Sequence, residues 1–345
     1  MTLIKPAKLK PGDKVATISL SWGGAGEADI LWRYEVGKKR LQEEFGLEVV
    51  EMPNTLKGSE YLYNHPEKRA EDLMMAFSDS SIKGIFSCIG GDESVRLLPL
   101  IDYDVIRNNP KIFIGYSDST VTHFICQKAG VSSFYGASIL AEFAENVRML
   151  DYTKHWIQKT LFDNMSIGKI EPSKVWTSEY LPWDEKNRNI QRAVQTNTGY
   201  ELIQGQGKVQ GRLLGGCIEV MEMLKGTEVW PELKVWKDTI LFFETSEDKT
   251  NPIYIEYWLR NYGSMGILQN VKGIIFAKPY DNVYYEEYKE ALIRIVREEL
   301  KLYDLPILYN MNFGHTAPMC VLPYGAMAEI DCETKGFSIL ESGVV

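Results

Sequence analysis

Five short apolar runs, separated by segments long enough for a helix, constrain the first half of this chain more than any other feature. They span residues 14–20, 47–52, 83–89, 111–116 and 132–137. Between the first two, residues 27–45 place Ile30, Tyr34, Leu41 and Phe45 at helical spacing, with Gly46 as a stop. Residues 66–78 put Ala70, Leu73, Met74 and Phe77 on one helical face. Apolar strands joined by crossover helices predict an α/β fold with a mostly parallel sheet covered on both faces. Functional groups then gather beyond the carboxyl ends of the strands.

The remainder divides in two. From about 165 to 205 the periodicity fails, and a polar stretch carrying Trp176, Tyr180 and Trp183 reads as a linker or a long surface excursion. Regular alternation returns after it, with strands expected at 208–214, 239–243, 271–277 and 306–312, and helices at 253–262 and 284–302. A closing β-hairpin is expected from about 322 to 340. The predicted division is an N-terminal α/β domain at 1–164, a linker with an aromatic loop at 165–205, and a C-terminal domain at 206–345.

Composition removes several classes of function. A net charge of -9 leaves no basic stripe to neutralise phosphates, so nucleic acid is not an expected partner. No apolar run approaches the roughly 20 residues that cross a bilayer, and Met1-Thr-Leu-Ile-Lys-Pro is not a secretory signal, so no membrane is expected. The five cysteines (Cys88, Cys126, Cys217, Cys320, Cys332) form no C-x-x-C pair, and four lie in apolar stretches. Free buried thiols in a reducing cytoplasm are expected, and no zinc site. With four histidines, none at ligand spacing, a metal enzyme is not expected. The turn Ser21-Trp-Gly-Gly-Ala-Gly26 lacks the G-x-G-x-x-G spacing and no Walker A string occurs, so no nucleotide cofactor is expected either.

The chemistry-bearing residues sit at predicted strand ends. Lys-Ile-Phe-Ile-Gly-Tyr-Ser117-Asp118-Ser-Thr breaks from strand into helix at a serine, close to the G-x-S-x-G nucleophile elbow but with a serine for the last glycine. Ser117 is therefore the candidate nucleophile, the competing reading being a helix N-cap. Its base is best sought in Asn312-Phe-Gly-His315-Thr-Ala-Pro, just past a buried-looking strand. His65, His123 and His155 are less suited by position. Glu244 follows the apolar run Leu241-Phe-Phe and can orient that base, or can simply be satisfied by Thr245 and Ser246. Gly90-Gly91 ends another strand. The N–H groups of Gly91 and Asp118 would make an oxyanion hole worth about 3 kcal/mol per donor, against the plain reading of a βα turn. Trp176 and Trp183 either stack a substrate ring or pack against the second domain.

Taken together, Ile-Gly-Tyr-Ser117-Asp-Ser-Thr, Gly90-Gly91, Gly211-Arg-Leu-Leu-Gly-Gly216, Phe242-Phe-Glu244 and Gly314-His315-Thr resemble the LD-carboxypeptidase and microcin C immunity family of serine peptidases. The resemblance runs in order over nearly the whole chain. It implies a flavodoxin-like N-terminal sandwich, a swivelling C-terminal β/α domain, a Ser117–His315–Glu244 triad with its oxyanion hole at Gly91 and Asp118, and a cytoplasmic homodimer; a triad of this kind needs no cofactor. It implies as substrate a peptide or a peptidyl-nucleotide, cut at an amide. The stretch Trp176…Trp183-Asp-Glu is similar to the tryptophan loop of the immunity branch, where aromatic side chains face a nucleobase. A murein LD-carboxypeptidase removing terminal D-alanine is the alternative, and a catalytically silent ligand-binding protein on the same scaffold is a third. Where some immunity-branch members carry a lysine four residues after the glutamate, this chain has Asp248, with Lys249 next, so recognition of an acidic group is expected to be altered.

Overall fold

Each of the five apolar runs forms a strand, and the alternation within each run feeds two separate cores. The computed structural model describes residues 2–345. Strands β1 (Lys14–Ile18), β2 (Glu48–Glu51), β3 (Ile82–Ser87), β4 (Ile112–Gly115) and β5 (Phe134–Tyr135) pair in parallel in the order β5-β4-β3-β1-β2. This is the doubly wound order, with its switch between β1 and β3. Val15, Ile112 and Ile114 face a cluster closed by Tyr34, Leu41 and Phe45 of the helix Leu31–Phe45. Ala16, Ile85 and Phe113 face the opposite side, where Ala70, Leu73 and Phe77 of the helix Pro66–Ser78 cover them. Each fully buried aliphatic or aromatic side chain there contributes about 1.5–3 kcal/mol. Gly46 ends the first helix at φ 69°, as its position predicts.

The later strands are β6 (Gly168–Lys169), β7 (Val175–Trp176), β8 (Gln195–Thr196), β9 (Glu201–Gln204), β10 (Lys208–Cys217), β11 (Thr239–Glu244), β12 (Gly273–Ala277), β13 (Ile307–Met311), β14 (Leu322–Pro323), β15 (Met327–Asp331) and β16 (Gly336–Ile339). A second sheet runs β6-β16-β15-β10-β11-β12-β13-β9, parallel from β10 to β13 and antiparallel at both edges. The aperiodic stretch 165–205 is thus more than a connection. Two-residue β6 and four-residue β9 seal the two edges of the second sheet, and β7 pairs with β8. Segments so short carry no readable period. β14 leaves the second domain and adds to the first sheet, with Leu322 opposite Tyr135. The hairpin expected at 322–340 is narrower, formed by β15 and β16.

Candidate active site

Three strand ends converge between the two sheets. β4 ends at Gly115, and Ser117 follows with φ 60°, a left-handed conformation that few non-glycine residues adopt. A short 3-10 turn, Ser117–Ser119, then leads into the helix Thr120–Ala129. Strain of this kind lifts the serine oxygen out of the sheet. Glu244 is the last residue of β11, fully buried, and held at the sheet's carboxyl edge by the pairing of Cys217 with Glu244. His315 lies on the loop after β13.

These three side chains form one hydrogen-bonded line. His315 Nε2 is 3.0 Å from Ser117 Oγ, and His315 Nδ1 is 2.6 Å from Glu244 Oε2. The His315 backbone N–H donates to the same carboxylate oxygen at 3.3 Å, so Glu244 fixes both the ring and its loop. Gly314 makes that approach possible, because at φ 81° a Cβ on it would sit 2.6 Å from Glu244 Oε2. Farther along, Asn312 is fully buried, and its Oδ1 accepts from the Ser173 N–H at 3.0 Å, anchoring the loop's start.

Two tyrosines that sequence reasoning missed complete the line. The Tyr135 hydroxyl donates to Glu244 Oε1 and accepts from the Ser117 N–H at 3.1 Å, tying nucleophile and acid together through β5. Tyr116 packs edge-on against the His315 ring, with centroids 5.1 Å apart. Burial first, and nearby carboxylates second, push both phenols well above the ordinary 10, so they stay protonated donors. Tyr135 lies in the apolar run 132–137, but nothing in the sequence said which charge its hydroxyl would meet.

Burial alone would lower the pKa of His315, but Glu244 and then Glu247 outweigh it and hold the ring well above 6.5. Glu247 is the second omission. Its Oε2 lies 3.0 Å from His315 Nε2, on the side of the ring that faces Ser117, and its hydrogen bond to His315 holds its own carboxyl down to about 2.

The remaining predicted residues fall as follows. Gly90 and Gly91 lie against the nucleophile, since a Cβ on Gly90 would be 2.8 Å from Ser117 Cβ and 3.2 Å from the Asp118 nitrogen. Among the described residues the Gly91 N–H has no acceptor. The Asp118 side chain is fully buried and does something the sequence did not suggest. Its Oδ2 accepts from the Glu93 and Ser94 N–H groups at 3.1 and 2.9 Å, clamping the glycine turn to the serine turn. Trp183 lines the cavity, where Trp22 faces it at 6.2 Å and the Arg33 guanidinium lies 4.7 Å from its ring. Trp176 does not line it. It is 2 % exposed, and Lys278 Nζ lies 4.5 Å over its ring, so Trp176 takes the packing alternative and its expected place in the substrate site is corrected: the tryptophans that line the cavity are Trp22 and Trp183. Lys249 pairs with Asp281 at 2.7 Å, and Asp248 is absent from the cavity lining. His123 is buried between Ser133 Oγ and the Gly115 carbonyl and is a packing residue.

The cavity in front of Ser117 has a volume of about 400 Å³ and is walled by Trp22, Trp183, Tyr116, Tyr280, Arg192 and Glu247 among others. Such a space accommodates a small molecule or a short peptide. A strand-end serine, an imidazole and a buried carboxylate in one line, facing a cleft between two α/β layers, is the equipment of a hydrolase.

The chain belongs to the LD-carboxypeptidase family. The model of the family's N-terminal domain matches residues 15–136 and that of its C-terminal domain residues 210–330. The microcin C7 self-immunity protein MccF of Escherichia coli is 31% identical over 311 residues, covering 90% of this chain and 88% of that protein. Among solved structures, the MccF-like protein from Streptococcus pneumoniae, in complex with AMP, superposes with a TM-score of 0.88 at 35% identity, covering 95% of this chain and 98% of that one. Structures of MccF itself include complexes with aspartyl sulfamoyl adenosine and glutamyl sulfamoyl guanosine, each at a TM-score of 0.84 and 28% identity. The aspartyl complex covers 99% of this chain and 100% of that chain, the glutamyl complex 99% of each. Among the described residues no helix is long and apolar enough to cross a membrane.

Proposed function

We propose that this protein is a serine hydrolase that cleaves an amide bond in a peptide or an aminoacyl-nucleotide, working in the cytoplasm as a homodimer without a cofactor. The observation that carries the reading is the line from Ser117 Oγ through His315 to Glu244, at 3.0 and 2.6 Å. Ser117 Oγ attacks the carbonyl carbon as His315 Nε2 takes its proton, and Glu244 stabilises the imidazolium at Nδ1. The developing oxyanion is received by the N–H groups of Gly91 and Asp118. His315 then gives its proton to the leaving nitrogen and the C–N bond breaks. Water, deprotonated by the same imidazole, attacks the ester and restores Ser117.

The Trp22–Trp183 pair, with Arg33 against Trp183, favours a planar group at the cavity mouth and supports a nucleotide conjugate over a cell-wall tetrapeptide. The test compares hydrolysis of an aminoacyl sulfamoyl adenosine and of a murein tetrapeptide ending in D-alanine, by wild type and Ser117→Ala. Cleavage of the nucleotide conjugate is expected, with turnover falling roughly 10⁴–10⁶-fold in Ser117→Ala and the fold intact. Cleavage of the tetrapeptide alone would shift the reading to cell-wall recycling. Equal activity in the two variants would end the serine mechanism.

A further inference from the structure

Tyr135 is fully buried, and a single oxygen atom of it touches both ends of the triad. The hydroxyl donates to Glu244 Oε1 and accepts from the Ser117 N–H at 3.1 Å. Ser117 belongs to the first family domain and Glu244 to the second, so this atom joins nucleophile and acid across the boundary between them. The residue has little room to move. Its backbone pairs with Gly115 of β4 on one side and Leu322 of β14 on the other, and its ring packs against Phe242 with centroids 5.5 Å apart.

The two contacts act differently. Glu244 Oε2 serves His315 Nδ1 at 2.6 Å, which leaves Oε1 buried and in need of a donor. Among the described residues the Tyr135 phenol is the one donor it has. Without that proton, the unshared carboxylate charge would bear more heavily on the imidazole. Ser117 holds φ 60°, and its N–H is spent on the phenol oxygen, which keeps the residue turned with Oγ 3.0 Å from His315 Nε2.

The other titratable groups around the pair are engaged elsewhere. Cys217, beside Glu244 on β10, donates its thiol to Glu219 Oε2. Tyr324 donates to the Gly215 carbonyl at 2.6 Å, and Tyr116 turns its hydroxyl to Glu142 at 3.4 Å. Glu247 meets the opposite nitrogen, Nε2, at 3.0 Å. Its loop is stapled by Glu219 Oε1, which accepts from the Ser246 N–H at 3.0 Å and the Thr250 hydroxyl at 2.8 Å.

We propose that Tyr135 is a positioning residue for amide cleavage, its proton holding the Glu244 carboxylate toward His315 and its oxygen holding Ser117 in attacking posture. This rests on the hydrolase reading above.

The experiment follows the His315 ring by nuclear magnetic resonance across pH, in protein carrying isotopically labelled histidine. The signal is assigned by its loss in His315→Gln. Wild type is compared with Tyr135→Phe and with protein carrying fluorotyrosine at position 135. Tyr135→Phe removes the donor, and the His315 midpoint is expected to rise by about one pH unit. Fluorine strengthens the phenol as a donor, so that midpoint should fall. A ring that only packs would move neither. The rate at which a fluorophosphonate labels Ser117 should drop about 10–100-fold in Tyr135→Phe and stay near wild type with fluorotyrosine. Should Tyr135→Phe fail to fold, the fluorotyrosine midpoint decides alone. Coincident midpoints with Ser117 still labelled would overturn the proposal and leave the hydrolase reading standing. No labelling of wild type would overturn both.

Discussion

At the scale of single residues, His315 is governed by two carboxylates that pull in the same direction for different ends. Glu244 holds Nδ1 and orients the ring, while Glu247 sits on Nε2, where the serine proton must arrive. A base has to be neutral to accept a proton, so kcat/KM for an uncharged substrate is expected to rise with pH through the raised pKa of His315. Glu247→Gln removes one of the raising charges and should move that rise to lower pH. Superimposable pH–rate profiles for the two proteins would contradict the assignment. The same pairing bears on stability with a definite sign. Because the folded pKa lies above 6.5, the contribution is complete below that value and is lost as pH climbs through the folded one. His123 acts oppositely. Burial holds it down to about 3, so between 6.5 and about 3 the unfolded chain takes up a proton that the folded one refuses, and stability falls on acidification.

At the scale of elements, the turn after β3 and the turn after β4 act as one unit. Asp118 receives the N–H groups of Glu93 and Ser94, and Trp22 N–H donates to the Gly90 carbonyl at 3.1 Å, so three strand ends share one hydrogen-bond net. Gly91 is the position in that net with no tolerance. Its φ is 145°, and a Cβ there would lie 2.3 Å from Ser21 Oγ. Gly91→Ala keeps the N–H but forces it out of place, and the displaced oxyanion donor is expected to cut kcat about 10²–10³-fold, with the circular dichroism spectrum retained. Near-normal kcat would remove Gly91 from the oxyanion hole. These elements also mark how far the sequence could be read. Ser117, Glu244 and His315 were legible because each follows a long apolar run, and a strand end is where chemistry gathers in such sheets. Trp176 misled because a tryptophan in a polar, aperiodic stretch gives no hint that β7 will fold its ring under Lys278. Glu247 was hidden for a related reason. Loop residues have no period, and only the Glu219 staple decides which of three successive charged residues, Glu247, Asp248 or Lys249, enters the cavity.

At the scale of the whole molecule, the two family domains share one interior. The cluster that holds Leu73, Phe113 and Tyr135 of the first half continues without a break through Leu213, Phe242 and Ile274 of the second. Interiors joined in this way lose their packing together. Urea unfolding is therefore expected to be a single transition, with tryptophan fluorescence and far-ultraviolet circular dichroism coinciding. Two separated midpoints would show that the halves unfold independently.

The strand β14 carries this connection to a conclusion about inheritance. Leu322 and Pro323 complete the first sheet beside Tyr135 and Phe134, and they follow His315 closely along the same stretch of chain. The imidazole is thus delivered to the serine by the serine's own sheet, although it is encoded in the other half of the gene. Recombination between relatives at the domain boundary would exchange the base together with the strand that seats it. A hybrid would keep its catalytic spacing only where the incoming Leu322–Pro323 equivalent still fits the resident Tyr135, so the two halves are free to diverge only as a matched pair.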